Sequence, residues 1–120
     1  MRRFFAFGLL ALALGCSDTL GPVQTVDGEW DGIQNGYSMA LALTQTGTDV
    51  VGTAQIGNVG GFGAGNVVGT FKYPTVDLTI VVEGLDPITY KGTMSSSEAV
   101  INARLNGAGI KNVEINVKKR

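Results

Sequence analysis

From Gly28 onward, apolar and polar residues alternate along the chain, and turn-forming residues interrupt the alternation every eight to fifteen positions. Period-two alternation places successive side chains on opposite faces of a strand, so each such stretch predicts a half-buried β-strand. The pattern predicts eight strands, over 28–34, 37–46, 50–57, 66–73, 75–82, 88–95, 98–106 and 110–118. Val76, Leu78, Ile80 and Val82 give the cleanest of them, with Thr75, Asp77 and Thr79 opposite. The apolar faces of the others are Tyr37–Met39–Leu41–Leu43, Val50–Ala54–Ile56, Val67–Phe71–Tyr73, Ile88–Tyr90–Met94, Ala99–Ile101–Ala103–Leu105 and Val113–Ile115–Val117. No segment carries the 3.6-residue period of a helix. Connections are short, so neighbouring strands pair in sequence and antiparallel. The expected fold is all-β: an eight-stranded up-and-down barrel, which leaves no exposed edge, with a two-sheet sandwich as the alternative.

Glycine recurs on the inward faces. Val51-Gly52-Thr53, Val68-Gly69-Thr70 and Lys91-Gly92-Thr93 each set Gly inward and Thr outward. An interior glycine either lets a strand bend or a backbone approach closely, or leaves room inside the barrel. An eight-stranded barrel can be filled by its own side chains or hold one small ligand. The sequence leaves both open.

The segment before the strands is of another kind. Arg2 and Arg3 precede a short apolar run, Phe4 to Leu14, which ends at Gly15-Cys16. A basic start, a short apolar core and a small-residue cleavage site describe a secretory signal. The run is too short to span a bilayer, which takes about 20 apolar residues. Leu12-Ala13-Leu14-Gly15-Cys16 resembles the lipobox of bacterial lipoproteins. The resemblance implies removal of 1–15, lipidation of Cys16, and a membrane anchor. Residues 16–27 then read as the lipidated Cys and its tether, and 28–120 as the barrel domain. Ser17 in the position after the Cys resembles outer-membrane sorting. The expected location is therefore the cell envelope, at the outer membrane, facing the periplasm or the cell surface.

Charge and composition narrow the function. Arg2 and Arg3 lie in the leader, so the chain after it has seven basic and ten acidic residues, a net charge of −3. A nucleic-acid partner calls for a basic face, and a net charge of −3 argues against one. There is no histidine, and the single cysteine is taken by the lipid. A neutral-pH base and a thiol nucleophile are both missing, so no enzyme and no cofactor are expected. Asp27, Glu29 and Asp31 alternate on the face of the first strand opposite Trp30. Three carboxylates suit Ca²⁺, but a solvated strand face is the expected reading, with no metal. Gly57 to Gly65 is the longest connection and lacks the Lys-Ser/Thr of a phosphate loop.

Gly28-Glu29-Trp30 is similar to the Gly-x-Trp of the calycins, the lipocalin and avidin group of ligand-binding barrels. Val51-Gly52-Thr53, Tyr90-Lys91-Gly92 and Glu98-Ala99-Val100-Ile101-Asn102 look like avidin segments on later strands. The resemblance implies a barrel plugged by Trp30. It argues against biotin, because Tyr90 and Leu105 stand where avidins often have Trp, and Ala54 where they often have Tyr.

Alternate loops of an up-and-down barrel share an end. The loops at 34–36, 57–65, 83–87 and 106–109 form one mouth, and Trp30, the tether and Lys118-Lys119-Arg120 mark the other. That basic cluster is either a solubilising tail or a contact to anionic lipid. Two functions from different classes fit. One is a non-catalytic carrier of a small, largely apolar ligand, contacted by Tyr37, Phe62, Phe71, Leu85, Tyr90 and Gly92. Phe62 either folds back on the core or covers the mouth. The other is a structural lipoprotein with a filled barrel, whose surface meets an envelope protein partner.

Overall fold

The computed structural model describes residues 25–58, 60–61 and 63–120. The leader, Cys16, the tether up to residue 24, Val59 and Phe62 lie outside the described residues. The strands are β1 (Gly28–Gln34), β2 (Tyr37–Thr46), β3 (Asp49–Gly57), β4 (Gly63–Lys72), β5 (Thr75–Val82), β6 (Ile88–Ser95), β7 (Val100–Gly107) and β8 (Ile110–Lys119). Each pairs antiparallel with its sequence neighbours, and β8 returns to β1, closing one barrel. The two-sheet alternative is thereby set aside. No helix occurs among the described residues.

Local chemistry explains the connections. Asn35 and Gly36 both have positive φ, 55° and 82°. That is the two-residue primed turn that Asn-Gly favours between twisted antiparallel strands. The strand boundaries depart from the sequence expectation by more than one residue in two places. β4 begins at Gly63 rather than 66, because Gly63 and Gly65 already pair with Ile56 and Ala54 of β3. β7 begins at Val100, because Ala99 turns with φ 53° instead of pointing inward from a strand. Tyr73, expected inside, is 46% exposed; it lies beyond the end of β4, and its hydroxyl donates to Ser96 Oγ at 2.9 Å.

The alternation otherwise sorts the faces as read. Met39, Leu41, Val50, Ile56, Val67, Phe71, Leu78, Ile80, Tyr90, Ile101, Leu105 and Ile115 belong to one buried cluster inside the wall. No buried polar or charged residue interrupts it among the described residues. Every strand is paired within Gly28–Lys119, and the core runs from Val26 to Val117.

One core residue lies upstream of the strands. Val26, read as the end of the tether, is completely buried. Its carbonyl accepts the Trp30 indole N–H at 3.0 Å, and its own N–H donates to Gln45 Oε1 at 2.9 Å. Asp27 adds a carboxylate oxygen that accepts the Gln45 N–H at 2.6 Å. The chain entering the barrel is thus fastened across its base, with Trp30 packed above it.

Candidate functional site

Of the described residues expected to surround a ligand, Leu85 borders the mouth concavity, and Tyr37, Phe71, Tyr90 and Gly92 line none of the three described below. Phe71 and Tyr90 are buried within the core, at 2% and 0% exposure. Phe71 meets Tyr73 edge-on, with ring centroids 6.2 Å apart. The Tyr90 hydroxyl donates to the Ile115 carbonyl across the interior at 2.5 Å. Tyr37 is half-buried where β2 leaves its turn, packed against the rim of the core. Leu85 is exposed in the β5–β6 loop. Phe62 lies outside the described residues.

Gly92 settles what its own missing side chain is for. A Cβ there would lie 2.1 Å from the Asn102 carbonyl oxygen and 2.6 Å from Ala103 Cα. Gly52 shows the same relation to the Ala42 carbonyl at 2.0 Å. Real Cβ atoms do not approach backbone that closely. The space is occupied by the neighbouring strand, so these glycines serve close approach of a bent wall. A larger residue at 92 is therefore no probe of a cavity, since it collides with β7 first.

Tyr90 carries a pH consequence. Burial pushes its phenol well above the usual tyrosine value. The folded state holds the proton longer than the unfolded chain, so this contribution to stability is intact below pH ~10 and is lost as pH rises past that value. Urea unfolding should show a midpoint that falls above pH ~10, and falls less steeply in Tyr90→Phe. Equal slopes in both proteins would contradict the assignment.

Three open concavities lie at the outer wall and the mouth, and Trp30, Phe71 and Tyr90 line none of them. The first, about 820 Å³, crosses the outside of β1–β4 between Ile33 and Gln55, over Ser38, Ala40 and Ala64. A second, about 220 Å³, also borders Ala40, Gln55 and Arg120 and adds Ala42 and Thr53. The third, about 500 Å³, is at the mouth between Asn58, Gly60, Gly61 and the Val82–Leu85 turn.

One wall of the outer groove is built by the chain end. The Arg120 guanidinium donates to Asp31 Oδ2 at 2.7 Å and to Glu29 Oε1 at 2.8 Å, while its backbone N–H donates to the Glu29 carbonyl at 2.9 Å. Hydrogen bonding and charge from Asp31, and then from Glu29, raise the guanidinium pKa further. The carboxylates of β1 thus neutralise Arg120, which follows directly on the paired residues Lys118 and Lys119 of β8. Among the described residues no group of three or more His, Cys, Asp or Glu could hold a metal ion.

Two features escaped the sequence reading. Val26 stands alone in a polar stretch, so no periodicity marks it. The β1–β8 seam is paired at Trp30–Lys119 and Asp31–Lys118. Toward the end of β1 side chains take over: Gln34 Oε1 accepts the Asn116 N–H at 2.9 Å, and Asn35 Nδ2 donates to the Glu114 carbonyl at 2.8 Å. Such side-chain bonds across a barrel seam leave no sequence signature. No family model, no curated protein and no solved structure matches the chain.

Proposed function

We propose that this is a non-catalytic envelope protein, held at a membrane through a lipid on Cys16, that works by its outer wall and mouth. Its interior is structural. The observation that carries this reading is the continuous buried cluster from Val26 to Val117, together with three concavities on the outer wall and at the mouth. The partner class is another envelope protein surface. Anchoring rests on Gly15-Cys16 closing the apolar leader. Cys16→Ser should abolish labelling by a fatty-acid probe and move the protein from membrane to soluble fractions. Unchanged partitioning would overturn the anchor.

A second reading has its own observation. The glycine-rich β3–β4 loop, Val82 and exposed Leu85 border the mouth concavity, which is of ligand size. Titration with an environment-sensitive apolar dye separates the two. The structural reading expects no saturable binding by the chain from Ser17 onward. Binding at one site per chain that is lost in Leu85→Ser would place a small apolar ligand at the mouth. Binding that is insensitive to Leu85→Ser and shifts the emission of the buried Trp30 would place it inside the barrel and overturn the structural reading.

A further inference from the structure

The barrel wall is closed unevenly. β1 pairs with β2 along its whole length, from Gly28–Leu43 to Gln34–Tyr37, and β8 pairs with β7 from Val100–Lys118 to Gly107–Ile110 with one bulge. The ladder between β1 and β8 holds only Trp30–Lys119 and Asp31–Lys118, both toward the base. Arg120 reinforces that half, through its backbone bond to the Glu29 carbonyl and its guanidinium bonds to Asp31 and Glu29. Toward the mouth, the next residues in this register, Ile33 and Asn116, are not paired. The Asn116 N–H turns instead to Gln34 Oε1, and the Glu114 carbonyl accepts from Asn35 Nδ2.

The core does not hold the mouth half of β1 either. Trp30 is the one β1 residue in the buried cluster, and it sits at the base. Above it on the inward face come Gly32, which has no side chain, and Gln34, which is half-buried and polar. Ile33 points outward and is 84% exposed. β8, by contrast, buries Ile110 and Ile115, and the Tyr90 hydroxyl of β6 donates to the Ile115 carbonyl. β8 is therefore tied to β6 and β7, and the end of β1 is tied to β2. Closure also carries a cost at Asn116. Its Oδ1 is buried without a hydrogen-bond partner, and an acceptor of that kind is better served by water.

We propose that the barrel opens locally at this seam: the tip of the β1–β2 hairpin, from Ile33 to Ser38, swings away from β8 while the base half stays shut. Gln34 and Asn35 are the latch. Opening breaks their two side-chain hydrogen bonds and loosens the packing of Tyr37 at the rim, and it lets water reach Asn116 Oδ1. A local opening of this size lies well below global unfolding in free energy. The separation stops at the Asp31–Lys118 pair and the Arg120 bonds. A closed barrel has no edge strand, and this motion gives it two, along Ile33 and Asn116.

Two measurements test this on the chain from Ser17 onward, which holds every described residue and no cysteine. The first is amide hydrogen exchange, followed by NMR at rising urea. The Asn116 amide should exchange about tenfold or more faster than that of Lys118, at a rate nearly independent of urea, because a small opening exposes little surface. The amides of Ile115, paired with Ala103 on β7, and of Leu78 on β5 should wait for global unfolding. Gln34→Ala should speed Asn116 about fivefold. Ile80→Val removes contacts that only global unfolding breaks, so it should speed Leu78 about fivefold and leave Asn116 unchanged. The second measurement is labelling of a buried thiol. Ile115 and Leu78 are both fully buried, the first beside the seam. Ile115→Cys should react with a small thiol reagent about tenfold or more faster than Leu78→Cys. If Ile115→Cys does not fold, exchange in the unsubstituted chain decides alone. Asn116 exchanging together with Leu78 at one urea-sensitive rate would overturn the proposal, and so would equal labelling of the two thiols. Ile115 exchanging along with Asn116 would also overturn it, since β8 would then be leaving β7.

Discussion

Trp30→Ala should remove about 3–5 kcal/mol of stability, the cost of truncating a large buried aromatic. Trp30 is fully buried, and its indole N–H is bonded to the carbonyl of an equally buried Val26. The substitution opens a void at the base of the barrel and leaves that carbonyl without its partner, so the desolvation cost adds to the lost packing. Domains of this size are stable by only about 5–15 kcal/mol, so the variant sits close to unfolding at room temperature. Urea unfolding followed by circular dichroism measures the loss directly. The parent should also show blue-shifted tryptophan emission that acrylamide quenches poorly. A loss under about 1 kcal/mol would mean that the base is not packed as described.

Gly92→Leu should cost about 3 kcal/mol or more, or prevent folding, and Gly92→Ala should already cost most of that amount. The reason is the first carbon. A Cβ at 92 meets the β7 backbone at 2.1 Å, and a carbonyl inside a paired strand cannot rotate away as a flexible side-chain end can. Gly63→Ala is the matched control, because among the described residues a Cβ there meets only Val82 Cγ1 at 3.9 Å. That variant should stay within about 0.5 kcal/mol of the parent. Had the inward glycines marked empty space, Gly92→Ala would be harmless. Gly92→Ala unfolding at the parent's urea midpoint would therefore refute close approach.

The strands were legible because the barrel asks for one strict thing, an apolar residue at every second position. Leu78 and Ile80, flanked by Asp77 and Thr79, meet that demand without ambiguity, and the structure buries both completely. Residues at strand ends were less legible. Ala99 and Tyr73 continue the alternation in sequence, yet each lies where the chain has begun to turn, so the period no longer describes its direction. Val26 was hidden for the opposite reason: one apolar residue in a polar segment has no period. The inward faces of Gly52 and Gly92 could be read, but their purpose could not. Spacing along one strand does not say how near the next strand's backbone comes. The outer groove was illegible as well, since it depends on small residues of β2 lying beside the returning Arg120, far away in the chain.

The central claim is that the barrel interior is filled by its own side chains. Xenon tests it most directly, because it enters dry apolar cavities whatever their lining. Methyl NMR of the chain from Ser17 onward should be followed under rising xenon pressure, with Leu41, Leu78, Ile80, Ile101, Leu105 and Ile115 as interior probes. A filled barrel predicts only small, linear, non-saturating shifts at these methyls. Saturable shifts converging on the methyls around Trp30, Phe71 and Tyr90 would reveal an interior site and contradict the account.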